Sequence, residues 1–252
     1  MTRAGKRYHQ KRVSSPKIWP VTRKGTKFLP KISPGPHSKE YSMPLLILLR
    51  DNLKLGQSRK EIKRILSSRS VLIDGKIRTN DKFPVGHMDI VELPSLKKAY
   101  RIQIHTSNKL RAIEIPLKDK TSKVCKVVGK RTIKGGDFQI SLHDGRNIVV
   151  GKRTKHAKEI STQSSIRITL PGQTIKDVFP LEENVRAMVT EGRHQGKIGT
   201  IMEIDRRYGP KASEVIFQDD DNKELSRFRT ALDYVFVLGP SLQLDRGDVN
   251  EQ

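Results

Sequence analysis

The stretch "SMPLLILLRDNLKLGQSRKEIKRILSSRSVLIDGKIRTNDKFPVGHMDIVEL", residues 42–93, decides the fold of the part of the chain around it. Its apolar residues between Leu45 and Leu55 predict a short helix that ends at the glycine that follows. The segment "SVLIDGKI" at 70–77 predicts two short strands joined by an Asp-Gly turn, and "IVEL" at 90–93 predicts another strand. Helical structure followed by a small hairpin sheet is therefore expected.

A second helix is predicted to begin at Ser58, because Ser58 and Glu61 have the three-residue spacing of a capping box. Ile62, Ile65 and Leu66 recur at the i, i+3 and i+4 spacing of one helix face. The rest of this helix carries basic side chains, namely Arg59, Lys60, Lys63 and Arg64. An ordinary solvated face would give the same pattern, but a basic segment also precedes these residues, and the combination favours nucleic-acid binding.

That preceding segment, residues 1–40, contains eleven Lys or Arg and a single acid, Glu40. Proline and glycine interrupt it so often that neither a stable helix nor a strand is predicted, and we expect a polyanionic partner to order it. Tyr8 and Trp19 are candidates for stacking on an unpaired base, while packing against the protein's own surface is the alternative for Trp19. His9 either contacts RNA or lies in solvent.

The composition points in the same direction. The chain has 252 residues, a formal net charge of +23 and a pI near 10.2. Such an excess indicates nucleic-acid binding, adhesion to an anionic membrane or adaptation to an unusual solvent. The longest apolar run, Leu45–Leu49, is far shorter than the roughly 20 residues of a membrane helix, and no signal-peptide core is apparent. The single cysteine, Cys125, excludes an internal disulfide and suggests a reducing compartment, so we expect a cytoplasmic protein.

From about Tyr100 to Phe179 the sequence predicts short strands, because apolar and polar residues alternate in segments such as "YRIQIH" and "RAIEIPL". Cys125 lies in "KVCKVVG", where alternation with lysine predicts a half-buried strand. The sequence "VVGKRT" occurs twice, at 127–132 and 149–154. Neither copy has a glycine five positions before its Gly-Lys pair, as a phosphate-binding loop requires, so both are interpreted as strand ends that lead into basic turns.

Another β region is predicted from near Glu183. The segment "NVRAMVTEGRHQGKIGTIMEID" at 184–205 has the pattern strand, glycine turn, strand. It resembles a KOW motif, and the resemblance implies a small SH3-like barrel. Arg193, His194 and Lys197 would present donors from the turn. A plain hairpin with a polar turn is the alternative.

Residues 42–93 resemble the S-four-type RNA-binding domain. The resemblance rests on "SRKE" at 58–61, "SRSVLIDGK" at 68–76 and "FPVGHMDIVEL" at 83–93. In that family the second helix and the following turn contact RNA phosphates. The residues that this implicates are Arg59, Lys60, Lys63, Arg64, Arg69 and Lys76.

The order of the parts resembles the small-subunit ribosomal proteins of the S-four-e family, found in archaea and eukaryotes, over nearly the full length. The segments that carry it are "HQKRVSSPKIWPV" at 9–21, "CKVVGKRTIKGGDFQISLHDGRN" at 125–147, "LPGQ" at 170–173 and "VTEGRHQGKIGTI" at 189–201. The resemblance implies an archaeal or eukaryotic source and an N-terminal extension that threads along ribosomal RNA.

The predicted fold class is α+β and multidomain. The domains are a basic RNA-binding arm at 1–42, an S-four-type domain of two helices and a β-hairpin at 43–94, a β-rich central domain at 95–180, a KOW SH3-like barrel at 181–240 and a C-terminal tail at 241–252. The candidate RNA-binding residues outside the S-four-type domain are Lys6, Arg7, His9, Lys11, Arg12, Lys17, Trp19, Arg23, Lys24, Lys27, Lys130, Arg131, Lys134, Lys152, Arg153, Lys155, Arg193, His194 and Lys197.

The predicted function is that of a structural constituent of the small ribosomal subunit, cytoplasmic and on the ribosome. Its partners would be small-subunit ribosomal RNA and neighbouring ribosomal proteins, without a membrane, small-molecule substrate, metal or cofactor. S-four-type domains also accompany pseudouridine synthases and tyrosyl-tRNA synthetases, but the sequence has neither a candidate nucleophile nor a nucleotide site, so no enzyme is predicted. The alternatives are a free RNA-binding factor in transcription elongation or RNA quality control, an RNA-modifying enzyme, and a chromatin protein that binds duplex DNA.

Overall fold

The computed structural model describes residues 9–22, 24–154, 156–207, 211–219 and 227–240. They form two compact units. The first contains the described residues up to Gln103 together with Lys109–Leu117, and the second contains Ile104–Asn108 and the described residues from Lys118 onward. Both units are mostly β, with several sheets and few helices, so the predicted mixture of helices and strands is present with strands as the larger part.

The first unit combines short helices with three small sheets. Its helices are α1 Leu45–Ile47, which continues as the π-helix Leu48–Asn52, α2 Arg59–Ser67, and the 3-10 helices Arg12–Ser14 and Pro94–Leu96. Its strands are β1 Gln10–Lys11, β2 Phe28–Leu29, β3 Ser42–Pro44, β4 Leu72–Ile73, β5 Lys76–Ile77, β6 Pro84–Gly86, β7 Ile90–Leu93, β8 Lys98–Ile104 and β9 Leu110–Ile115. The largest sheet has the order β5-β4-β7-β8-β9, and β1 pairs with β2 as β3 does with β6.

The predicted helices are present with one difference. The apolar run Leu45–Leu49 is completely buried, and the helix widens into a π-helix and ends at Asn52 instead of continuing to Leu55. The capping box of α2 is confirmed, because the Ser58 side chain accepts from the backbone N–H of Glu61 and the Glu61 carboxylate accepts from that of Ser58. An all-apolar run carries no amphipathic period, so the sequence pattern could not place that end.

The described part of the arm has its own short strands, which corrects the prediction that it forms none. β1 and β2 pair antiparallel, with Gln10 opposite Leu29. Ile18 is buried, and its carbonyl accepts from the backbone N–H of Leu110 at 2.9 Å. Few apolar residues are needed here because the neighbouring core supplies the rest of the buried surface.

Two buried side chains anchor the arm within the first unit. The Trp19 ring is only 2% exposed, and its Nε1–H donates to the Ser42 carbonyl at 2.7 Å. Of the two alternatives for Trp19, packing against the protein is therefore the one observed, since no ring face is free for a base. The His37 Nε2 atom lies 2.9 Å from the Asp89 Oδ2 atom, and both side chains are buried.

The second unit contains two five-stranded antiparallel sheets. Its strands are β10 Ser122–Thr132, β11 Phe138–Leu142, β12 Asn147–Val150, β13 Ser165–Thr169, β14 Ile175–Phe179, β15 Arg186–Val189, β16 Ile198–Asp205, β17 Glu214–Asp219, β18 Arg227–Ala231 and β19 Val235–Val237. The helices are α3 His156–Glu159 and the 3-10 helices Asp119–Thr121 and Leu232–Tyr234. The sheet orders are β12-β11-β10-β13-β14 and β18-β17-β16-β15-β19, and each sheet has its own apolar core.

Polar bonds connect these two sheets through the segment before β19. The Lys126 ammonium donates to the Asp233 carbonyl at 2.5 Å, and the Gln163 Nε2–H donates to the Asp233 carboxylate at 2.8 Å. Burial disfavours the charged ammonium and lowers the pKa of Lys126 to about 8.

The face of β10 that was predicted to be open is covered. Cys125 is fully buried, and Lys123, two positions before it on the same face of the strand, is 1% exposed. The Lys123 ammonium donates to the Asp144 carboxylate at 3.0 Å, and the Arg146 Nε atom lies 3.2 Å from the same oxygen. The half-buried prediction fails because Asp144, in the turn between β11 and β12, supplies the countercharge that allows a lysine to be buried.

Candidate RNA-binding surface

Basic side chains lie on three consecutive elements of the first unit: α2, the turn after it and the β4–β5 hairpin. Ile62 and Leu66 are completely buried, so the remaining surface of α2 faces solvent. We call the basic residues of these elements the helix–hairpin set. Its members are exposed, and they are Arg59, Lys60, Lys63, Arg64, Arg69 and Lys76.

One member of the helix–hairpin set is already engaged. The Arg59 Nε atom donates to the Asp81 Oδ2 atom at 2.7 Å, and the Asp81 side chain is 9% exposed. This ion pair fixes the guanidinium and compensates part of its charge. The other five members form no salt bridge with any described residue. Net positive charge is therefore concentrated on them.

The arm presents further basic side chains. His9, Lys11, Lys17, Lys24 and Lys27 are exposed, and Arg12 is half-buried. Four candidates lie outside the described residues, namely Lys6, Arg7, Arg23 and Lys155, and so does the aromatic Tyr8. Trp19 leaves the candidate set because it is buried.

The two "VVGKRT" copies lie on either side of β11. In the register of this sheet Arg131 and Val149 both stand opposite Gln139. The turn after β10 and the turn after β12 therefore emerge at the same end of the sheet. An open cleft lies there, lined by Gly135, Asp137, Gly151, Lys152, Arg153, Thr154, Lys158 and Glu159. Lys134, in the turn after β10, is exposed, as are Arg131, Lys152 and Arg153.

Lys130 does not belong to this exposed group. Its ammonium donates to the carbonyls of Ala157 and Ile160 at 2.7 and 2.8 Å, and it lies 4.6 Å from the centre of the Phe138 ring. A cation near the C-terminus of α3 satisfies carbonyls that have no helical partner. Lys130 is therefore held by its own fold and is not one of the exposed cations at the cleft.

The glycine turn between β15 and β16 carries three candidates, and two of them, His194 and Lys197, contact other side chains. Arg193 is exposed. The Lys197 ammonium is 3.0 Å from the Asp219 carboxylate, and the His194 ring packs 4.8 Å from that of Phe228. Burial and the charges of Lys197 and Arg193 lower the pKa of His194, so the fold disfavours its protonated form.

Other kinds of site find no support within the part of the chain that the structure describes. There, no group of three or more His, Cys, Asp or Glu side chains is placed to hold a metal ion. In the same residues, no helix is long and apolar enough to cross a membrane.

Comparison with known proteins places the chain among ribosomal proteins. Three family models match: an RS4NT domain at residues 4–40, an S4 domain at 43–91 and the ribosomal family S4e at 96–175. Small ribosomal subunit protein eS4 of Desulfurococcus amylolyticus is 36% identical over 95% of this chain and 96% of its own length. The same protein of Methanocaldococcus jannaschii is 38% identical over 95% and 97%. The chain belongs to the ribosomal protein family S4e.

A solved S4e structure has the same fold. The 30S ribosomal protein S4e from Thermoplasma acidophilum superposes with a TM-score of 0.66, at 28% identity, over 81% of this chain and 97% of that one. The S4 match coincides with the elements that carry the helix–hairpin set, and the RS4NT match covers most of the arm.

Sequence reasoning missed one basic residue of this S4e chain. Lys158 lines the cleft in the second unit and is exposed, but it was not a candidate. Its position four residues after the second "VVGKRT" copy was the available signal. Only the return of α3 towards the turn after β12 brings it to the cleft.

Substitution of Gly196 tests how the glycine turn of this S4e protein is held. Gly196 has a φ of +84°, and a Cβ there would overlap the His105 carbonyl group. Gly135 has a similar φ of +96°, but no described atom lies within 4 Å of a Cβ built there. Gly135→Ala should cost about 1 to 2 kcal/mol for its backbone alone, and Gly196→Ala about 1 to 3 kcal/mol more for the overlap.

Urea denaturation of both variants measures this difference. Because they share the positive φ, the comparison isolates the packing of the turn on the 104–108 segment. Equal losses of unfolding free energy in the two variants would contradict that packing.

Proposed function

We propose that this S4e protein is a structural constituent of the small ribosomal subunit, which binds ribosomal RNA and stabilises its tertiary fold during assembly and translation. The observation that carries the proposal is the match, over about 95% of the chain, to proteins named small ribosomal subunit protein eS4. The net charge of +23 supports it, because ribosomal RNA is a polyanion of high charge density. The family is one of ribosomal proteins and not of enzymes.

We propose the following layout, with ribosomal RNA and neighbouring ribosomal proteins as partners and the cytoplasmic ribosome as location. It comprises a basic arm at 1–42, an S-four-type RNA-binding domain at 43–94, a β-rich domain at 95–180, a KOW SH3-like barrel at 181–240 and a C-terminal tail at 241–252. The S-four-type assignment is supported by the two helices that precede the β4–β5 hairpin. The KOW assignment is supported by the glycine turn between β15 and β16.

The mechanism that the charges favour is contact with phosphates at several separate places. Exposed cations of the arm, the helix–hairpin set, the cleft and the glycine turn would each neutralise phosphates and release condensed counterions. Such contacts position a protein on RNA without reading its sequence. Domains of one chain that hold separated RNA segments in this way would stabilise one tertiary arrangement.

Sedimentation through a sucrose gradient tests the proposal. Native protein from lysate should remain stoichiometric with small subunits after a high-salt wash, because several charged contacts must break together. Release at modest salt, or sedimentation as free protein, would instead indicate a loosely bound RNA-binding factor.

Charge removal on α2 tests the contact mechanism. Lys60→Gln, Lys63→Gln and Arg64→Gln together should weaken binding to structured RNA of any sequence and reduce the slope of log K against log salt by about 2 to 3, since each phosphate contact contributes roughly 0.7 to 0.9. Arg59 is left in place because it pairs with Asp81.

The matched control removes three exposed lysines of the first unit that lie outside the arm and the helix–hairpin set, Lys54, Lys97 and Lys109. It lowers net charge equally but spares α2, so its slope should change by less than half as much. A loss confined to one RNA sequence with an unchanged slope, or equal effects of the two triple variants, would contradict phosphate contact by α2.

A further inference from the structure

Phe28 is an exposed aromatic side chain on the arm. Its relative exposure is 50%, whereas Leu29, the next residue of β2, is buried. Successive side chains of a strand point to opposite sides, so the burial of Leu29 directs Phe28 outwards. A half-exposed phenylalanine therefore stands on the most basic segment of the chain.

The Phe28 ring is held in place by the fold. β1 pairs with β2 so that Phe28 is opposite Lys11, and the Arg12 N–H donates to the Lys27 carbonyl at 3.1 Å beside the pair. The His9 ring meets the Phe28 ring edge-on, with centroids 5.1 Å apart. A ring that is positioned before a partner arrives loses less conformational entropy on binding.

The charges around Phe28 select the kind of partner. The Lys27 ammonium lies 5.7 Å from the ring centre. Lys11, opposite Phe28 in the strand pair, and Lys24, four positions before it, are both exposed. No acidic residue precedes Glu40 in the sequence. A partner that fits must combine a flat π-face with closely spaced negative charge, and an unpaired nucleotide of RNA has both.

We propose that Phe28 is a base-stacking residue, on whose ring one unpaired nucleobase stacks while Lys11 and Lys27 meet the flanking phosphates. This rests on the proposed function, and it names the single-stranded RNA element that the arm takes. The exposed Phe28 thus performs the role for which the buried Trp19 is unavailable.

Binding of two RNA probes by variants of the full chain tests the proposal. The probes are a 12-nucleotide oligoadenylate, whose bases are free to stack on the protein, and a 24-base-pair RNA duplex, whose bases are not. Phe28→Ala should weaken oligoadenylate binding about 5- to 150-fold, the range for loss of one stacked base. Its salt slope should not change because no charge is lost, and duplex binding should stay within twofold.

Two further variants separate stacking from mere apolar contact. Phe28→Leu keeps apolar surface without a π-face and should behave like Phe28→Ala, whereas Phe28→Trp should bind like the wild type. The new indole of Phe28→Trp should also be quenched by oligoadenylate. Leu96→Trp, at an equally exposed apolar position of the first unit, is the control and should be quenched much less.

The proposal would be overturned if Phe28→Ala kept full oligoadenylate binding or lost duplex binding by the same factor. Wild-type oligoadenylate binding by Phe28→Leu would overturn it as well. These outcomes are distinct from failure of the proposed function, in which the wild-type protein itself would not remain with small subunits in high salt.

Discussion

Trp19→Ala is expected to lower the free energy of unfolding of the first unit by about 3 to 5 kcal/mol, the usual cost of truncating a fully buried tryptophan. The Trp19 ring is 2% exposed and comes from a segment that is otherwise basic and rich in proline and glycine. Its Nε1–H is also the donor to the Ser42 carbonyl at 2.7 Å, so truncation removes a buried hydrogen bond as well. Hydrogen exchange of the first unit, followed by mass spectrometry, measures the loss.

Phe28→Ala is the matched control for this prediction, because it removes an aromatic ring from the same arm at an exposed position. Its effect on stability should stay below about 1 kcal/mol, since exposed substitutions seldom cost more. In the Trp19 variant the exchange should rise first in residues 9–42, because the arm has then lost its largest buried side chain and keeps only smaller ones such as Ile18 and Leu29 beside the His37–Asp89 contact. A Trp19→Ala protein as stable as Phe28→Ala would show that the arm is not part of the core.

Removal of one partner of the Lys123–Asp144 pair should be similarly costly in the second unit. Asp144→Asn is expected to lower the unfolding free energy by about 3 to 5 kcal/mol, because it leaves the Lys123 ammonium buried without its countercharge. Lys123→Met should cost less, because Arg146 remains 3.2 Å from the Asp144 carboxylate. The side chains are 0% and 1% exposed, with 3.0 Å between the ammonium and the carboxylate. Replacement of both, Lys123→Met with Asp144→Leu, should restore much of the loss caused by Asp144→Asn, because the buried ammonium is then absent as well.

The exposed pair Lys98–Glu114 provides the control, since its nitrogen and oxygen are also 3.0 Å apart. Glu114→Gln should cost less than about 1 kcal/mol, because water screens that pair. Thermal and urea denaturation of the single and double variants measure these differences. An Asp144→Asn loss no larger than that of Glu114→Gln would mean that burial does not strengthen the pair.

The pH dependence of the buried pair follows from the same charges. Burial alone would raise the pKa of Asp144, but Lys123, His143 and Arg146 outweigh it and bring the pKa below its ordinary 3.8. A carboxyl whose pKa is lowered by folding stabilises the protein above its unfolded pKa and loses that contribution as the pH falls through the folded value. The stability that Asp144 provides should therefore persist at pH 5 and vanish only below about pH 4.

Local features of the fold were predictable from neighbouring residues. The capping box at Ser58 and Glu61 is confirmed because both partners lie within one helical turn. The burial of Ile62 and Leu66 follows from helical spacing in the same way. The π-helix after Ile47 was not predictable, since a fully apolar run has no period from which a helix end can be placed.

Which Lys and Arg side chains are already engaged by other groups of the protein was not predictable from neighbouring residues. Arg59, Lys130 and Lys197 look like their neighbours in sequence, yet Asp81, the carbonyls after α3 and Asp219 engage them. The partner lies 22 positions away for Arg59 and for Lys197, and 27 and 30 positions away for Lys130, so no local pattern contains it. Sequence alone therefore identified the basic segments but not which side chains remain free for phosphates.

The sequence by itself determined the charge, the helical and strand periods, and the resemblance that led to the S4e family. Only the tertiary structure decided that Trp19 is buried and Phe28 exposed, and that Lys123 lies in the core while Lys63 lies in solvent. The physical reason is that exposure and pairing depend on what packs against a residue from distant parts of the chain. Charge and periodicity are properties of the residues themselves, whereas access to solvent is a property of the assembled fold.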